Sequence, residues 1–174
     1  MIVYRHCDPR FPFLWETASQ PTARWHEEGE GPVHYLADTP DGAWAEFLRH
    51  EGITDPEDLR GVRRALWAIE LKRPPTTTLD LPQAVLRGGI ESYARCQGEA
   101  RRLCRAGVKG LRVPSAALKA RGATGWVVSR GLRAGPPRDG VVYVLFGRRP
   151  SLVGWMATDA GQPPMHLLQR VRPL

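Results

Sequence analysis

The chain has 174 residues, an ordinary single-domain length that can bury a real core, so a division into two independent domains is a strained reading. Hydrophobic residues at 42% and charged residues at 25% lie near the globular average and argue against a disordered or fibrous chain. The net charge of +7, with a pI near 9.9, gives a positive field that favours nucleic acid, a phosphate-bearing ligand or an acidic partner without choosing among them.

The opening MIVYRHCDPRF is charged and aromatic with no long apolar run behind it, which predicts neither a signal peptide nor a membrane span, and hence a cytoplasmic protein. MIVYR and VHYLA read as strands with a mostly irregular segment between them. Asp38, Thr39 and Pro40 then start a helix, through a capping side chain, a proline near the first helical position and Asp41 in the positive first turn. That helix runs to about His50, with Ala43, Trp44, Phe47 and Leu48 on one apolar face, Glu46 on its flank and Gly52 as the stop.

Thr54 to Arg60 reads as a polar turn, with one helical turn started by Asp55 and Pro56, and RALWAIEL as a half-buried strand. KRPPTTTLDLP predicts a loop and a short edge strand, because its prolines cannot donate to a ladder. A second helix follows, with Ser92 as N-cap, Tyr93, Cys96, Ala100, Leu103 and Cys104 on one face, and Gly107 ending it. Its outer face carries Arg95, Arg101, Arg102 and Arg105. VKGLRV, GWVVS and VVYVLFG are three further strands between turn-rich segments. The order of elements predicts an α+β fold in one domain, 1–174, with a core of about 1–149 and a C-terminal elaboration over 150–174.

Metal chemistry has no sequence support: no Cys or His pair has zinc spacing, and Cys7, Cys96 and Cys104 read as reduced structural thiols. A Gly-rich dinucleotide loop and a phosphate-loop lysine are also absent, and the five histidines are scattered. What remains is an ordered constellation: YRH at the start, ARWH with Arg24 and Trp25, VHYLAD with Tyr35, AWAEFLRH with Glu46, and GLRVPSAAL with Ser115.

In order and spacing these segments resemble the RES domain, a family named for an Arg, a Glu and a Ser. Its pattern is a YR start, a GRW motif, a YLA strand, a Glu-bearing helix and a late PSA or PSV segment. The resemblance spans Tyr4 to about Phe146; Ala23 stands where Gly is common and His26 where Asn is common. It implies a fold like that of ADP-ribosyltransferases, with mostly antiparallel sheets flanked by short helices. It also implies an enzyme that consumes NAD by cleaving its nicotinamide–ribose bond, as glycohydrolase or phosphorylase, and acts as a toxin held by an Xre-type DNA-binding antitoxin. Apart from the resemblance, a homo-oligomer is compatible with the sequence, the lack of a long apolar run argues against a membrane partner, and the lack of a recognised nucleic-acid module argues against direct nucleic-acid binding.

On that resemblance Glu46 stabilises the positive charge that develops on the ribose, where a Glu on an ordinary helix would be a solvated carboxylate. Arg24 grips the pyrophosphate, because a planar guanidinium matches phosphate oxygens in a bidentate way. Tyr35 and Trp25 contribute ring contacts, and Tyr35 is equally well read as a buried strand tyrosine. Ser115 hydrogen-bonds the ligand or caps a local turn; no G-x-S-x-G elbow surrounds it, so it is not an acyl-type nucleophile, and Ser129 ranks behind it. Transfer of ADP-ribose to a macromolecule is the alternative reaction. A nucleic-acid or partner-binding domain, resting on the +7 charge and the arginine-lined helix, is the non-enzymatic alternative.

Overall fold

In the computed structural model, which describes residues 1–174, the chain forms eight strands. They are β1 (Ile2–Cys7), β2 (Val33–Ala37), β3 (Arg64–Glu70), β4 (Gly110–Pro114), β5 (Trp126–Val128), β6 (Leu132–Ala134), β7 (Val141–Phe146) and β8 (Val153–Gly161). Six build one sheet in the order β4-β7-β2-β1-β3-β8 with every ladder antiparallel, and β5 and β6 form a separate hairpin. Three α-helices, α1 (Pro40–His50), α2 (Gln83–Arg87) and α3 (Tyr93–Arg105), complete the α+β class that the sequence predicts.

Local chemistry sets α1 as read from the sequence. Thr39 Oγ1 accepts the Gly42 N–H at 2.9 Å, and Gly52 at φ +66° turns the chain away. Trp44, Phe47 and Leu48 are buried against the sheet, each burial contributing roughly 1.5–3 kcal/mol. The start of α3 differs from expectation: Ser92 makes no capping bond, because its Oγ donates to the Gly89 carbonyl at 2.7 Å and accepts from Arg24. Cys96, Ala100 and Leu103 are buried on α3 as predicted, whereas Cys104 is exposed; all three cysteines are free thiols.

Two further differences concern edges. KRPPTTTLDLP contains no strand, yet its Thr77 carbonyl accepts the Arg112 N–H at 2.8 Å and so covers the outer edge of β4. The tail supplies β8, the other edge of the sheet, and a 3-10 turn over Met165–Arg170 whose Leu167 is fully buried in the cluster under α1. No helix is long and apolar enough to cross a membrane.

Helices cover one face of the sheet, over two apolar clusters; the opposite face carries Val3, Leu36, Ile69, Leu71, Tyr143 and Leu145, with Phe13 and Trp67 packed on them. Between the two halves of the sheet the ladder nearly stops. β1 pairs with β3 from Ile2↔Glu70 to Cys7↔Ala65, and β2 pairs with β7 from Val33↔Phe146 to Ala37↔Val142. β1 and β2, however, share the single register pair Tyr4↔Ala37. Past Tyr4 they diverge and leave a wedge in the middle of the sheet.

Candidate active site

A cavity of about 520 Å³ occupies this wedge. Tyr4 to Asp8 line it from β1 and the loop after it, Tyr35 and Ala37 from β2, and Glu46, Arg49 and His50 from α1. Arg24, Trp25, Tyr93, Phe11, Trp15 and Arg64 complete its walls. A larger hollow of about 810 Å³ lies under the Lys72–Thr77 segment, but none of the sequence-predicted residues lines it.

Glu46 is carried into the cavity by the flank of α1, half-buried beside the apolar stripe. Ser115, one residue past β4, donates from Oγ to Glu46 Oε1 at 2.9 Å and accepts the Leu118 N–H at 3.0 Å. Its own N–H bonds the Gly140 carbonyl at 2.9 Å, so the hydroxyl is fixed at both ends. Ser115 is buried and does not line the cavity, which it reaches through the carboxylate it holds. Burial pushes the Glu46 carboxyl above its ordinary value; the Ser115 hydroxyl, the Arg49 charge, the Ala117 backbone and the Arg24 charge offset part of that rise. Ser129 is remote from this arrangement, exposed at the β5–β6 turn with its N–H on the Gly131 carbonyl.

Tyr35 accepts the Trp25 N–H on its hydroxyl at 3.1 Å, and that oxygen lies 2.9 Å from His26 Nδ1. Burial pushes its phenol above the ordinary tyrosine value. The Trp25 ring belongs to the apolar cluster with Val33, Val85 and Cys96. Arg24 lines the cavity, but its guanidinium is engaged by the protein. Nη1 donates to the Val85 carbonyl at 3.0 Å and Ser92 Oγ at 2.8 Å, and Nη2 to the Gly88 carbonyl at 2.5 Å. Its remaining face lies over the Tyr93 ring, 4.9 Å from the centroid. Arg24 therefore organises the corner between α2 and α3 while facing the cavity.

Sequence reasoning missed four residues of this site. Arg49 ties it together from α1, donating to the carbonyls of Ala116 at 2.5 Å, Gly88 at 2.6 Å and Pro173 at 3.1 Å. Arg5, His6 and Arg64 line the wedge, and Arg5 Nε, His6 Nδ1 and Arg64 Nε are buried without a hydrogen-bond partner. Such groups are costly unless something pairs with them. Arg64 also lies over the Phe47 ring at 5.3 Å. The His6 ring lies between Trp44 and Phe47, and burial, reinforced by Arg64, Arg5 and His50, lowers its pKa to about 3, so it is neutral at pH 7. Arg5 had a signal in the YR start; Arg64, one arginine in RGVRRAL, had none.

No group of His, Cys, Asp or Glu side chains is placed to hold a metal ion. The basic face of α3 is partly neutralised, with Arg101 paired to Glu27 and Glu30 and Arg102 to Glu99.

No curated protein matches the chain. Among solved structures, one from the crystal structure of the M. tuberculosis MbcT–MbcA toxin–antitoxin complex superposes with a TM-score of 0.59 at 19% identity, covering 97% of this chain and 86% of that one. The family model of the RES domain matches residues 2–134, and the chain therefore belongs to the RES domain family.

Proposed function

We propose that this protein consumes NAD by cleaving its nicotinamide–ribose bond, and that it is the toxin of a toxin–antitoxin pair. One observation carries the reading: a desolvated carboxylate, Glu46, shares a cleft with buried cationic donors, on Arg5 and Arg64, that no protein group satisfies. The cavity of about 520 Å³ lies within the usual range of roughly 300–1,000 Å³ for small-molecule sites.

When the C1′–N bond breaks, its electron pair leaves with nicotinamide and neutralises the pyridinium, and the ribose becomes an oxocarbenium-like cation. Glu46, held by Ser115, stabilises that cation or orients a ribose hydroxyl. Water or phosphate then bonds to C1′ and releases its proton, so no covalent enzyme intermediate is needed. Arg5 and Arg64 offer free N–H groups to the pyrophosphate. Arg24, already bound to three protein acceptors, shapes the pocket beside Tyr93 and adds positive potential. Tyr35 and Trp25 wall the nicotinamide end. The partner assigned here is an antitoxin, by likeness to the MbcT–MbcA complex and, for its Xre type, by the family resemblance.

The test is NMR of NAD incubated with the protein in phosphate and in phosphate-free buffer. The expected products are nicotinamide with ADP-ribose or its phosphorylated counterpart, and Glu46→Ala lowers their rate by about 10²- to 10³-fold. No nicotinamide in either buffer overturns the reading, and label from NAD appearing on macromolecules of a cell extract redirects it to transfer.

A further inference from the structure

The loop Asp8–Gln20, between β1 and β2, alternates between residues that anchor it and residues that it holds outward. Phe13 packs on Trp67 with ring centroids 4.9 Å apart, and Leu14 is buried. Glu16 accepts the Arg149 N–H at 2.9 Å, and Gln20 donates to the Trp15 carbonyl at 2.8 Å while accepting the Val33 N–H at 2.7 Å. A turn closes the loop's near end, with the Phe11 N–H on the Asp8 carbonyl at 3.0 Å and Arg10 clamped to the Asp8 carboxylate.

Against this fixed backbone Phe11 and Trp15 are 60% and 48% exposed, and both line the cavity. The Trp15 indole N–H is bonded to Thr17 Oγ1, which fixes the ring's polar edge. Two large rings held out of the core by an anchored loop leave apolar faces in water, a cost that a flat apolar ligand removes. Their place in the fold supplies an order. Ser115, which holds Glu46, follows the Pro114↔Val141 pair at one end of the β4–β7 ladder, whereas Gln20 ties Trp15 to Val33, whose pair with Phe146 lies at the other end of β7. Tyr35 pairs with Val144 between these ends, and Arg5 on β1 and Arg64 on β3 line the same cavity. Carboxylate, unspent cationic donors and exposed rings thus succeed one another as sugar, phosphates and base do in a nucleotide.

We infer that Phe11 and Trp15 form a base-stacking subsite that takes the adenine of a dinucleotide, at the end of the cleft remote from Glu46. The inference rests on the NAD reading for its substrate, and its test separates the two. Calorimetry with adenosine monophosphate reads the subsite without any turnover. The native protein binds it, Trp15→Ala weakens binding about tenfold, the usual effect of losing one base–aromatic stack, and Trp15→Phe restores most of it. In turnover, the kcat/KM preference for NAD over nicotinamide mononucleotide, which lacks the adenosine half, falls about tenfold in Trp15→Ala. Absent binding of adenosine monophosphate by the native protein overturns the subsite, as does equal affinity in native, Phe11→Ala and Trp15→Ala proteins. NAD cleavage with an unchanged NAD preference in Trp15→Ala overturns the subsite and leaves the cleavage reading standing. Trp15-dependent binding without nicotinamide release does the reverse.

Discussion

Glu46 is held in a form that stability disfavours. Its carboxyl titrates above the ordinary value because burial penalises the charge, so the folded protein binds that proton more tightly than the unfolded chain does. The linkage has one sign: this contribution is fully present below the unfolded pKa and is lost as pH rises through the folded one, so ionised Glu46 costs stability at neutral pH. Glu46→Gln is expected to abolish nicotinamide release and yet raise Tm by about 2–4 °C, near 1 kcal/mol for a chain of this size, read by calorimetry at pH 7.5. An unchanged or lower Tm contradicts the proposed burden. The same shift places the acid limb of the rate profile above the usual glutamate range of about 4.3. Ser115 is one of the groups that pull the Glu46 pKa down, so Ser115→Ala moves that limb to higher pH as well as slowing turnover by about tenfold. A serine that only capped the Leu118 turn would leave the limb where it is.

Among the elements, α1 and the wedge divide the work of the site. Arg49 on α1 joins the Ala116, Gly88 and Pro173 carbonyls, and Arg49→Met would leave these acceptors unpaired at a cost of about 1–3 kcal/mol for a buried one. A total loss of about 3 kcal/mol in denaturant unfolding is the expected outcome. Arg64, by contrast, spends no Nε donor on the fold, and Arg64→Gln should raise KM for NAD about tenfold while kcat changes little, since it removes binding common to ground and transition states. Elements with local punctuation were readable in the sequence: α1 has Thr39, Pro40 and Gly52, and β3 and β7 have apolar runs bounded by turns. β8 was not, because an edge strand exposed along most of its length needs no apolar alternation. β6 is three exposed residues, too short to carry a pattern. Glu46 and Ser115 could be named from their motifs, since both sit in short recognisable segments. The free donors of Arg5 and Arg64 could not, because they depend on where β1 parts from β2, and that is a relation between distant segments.

At the scale of the whole molecule, the family match ends at residue 134 while the fold continues through the tail. Removing 150–174 strips β8 from the outer edge of β3 and takes Leu167 from the cluster beneath α1. Such a shortened chain is expected to lose its cooperative thermal transition, and a sharp transition near the native midpoint would show the tail to be dispensable. The parting of β1 from β2 has its own consequence for how such a protein can vary over time. Because the slot is made by the spacing of two main chains and not by the removal of side chains, substitutions along its walls can retune the occupant without filling the slot. The fold itself tolerates wide change in sequence, as the 19% identity to its structural neighbour illustrates.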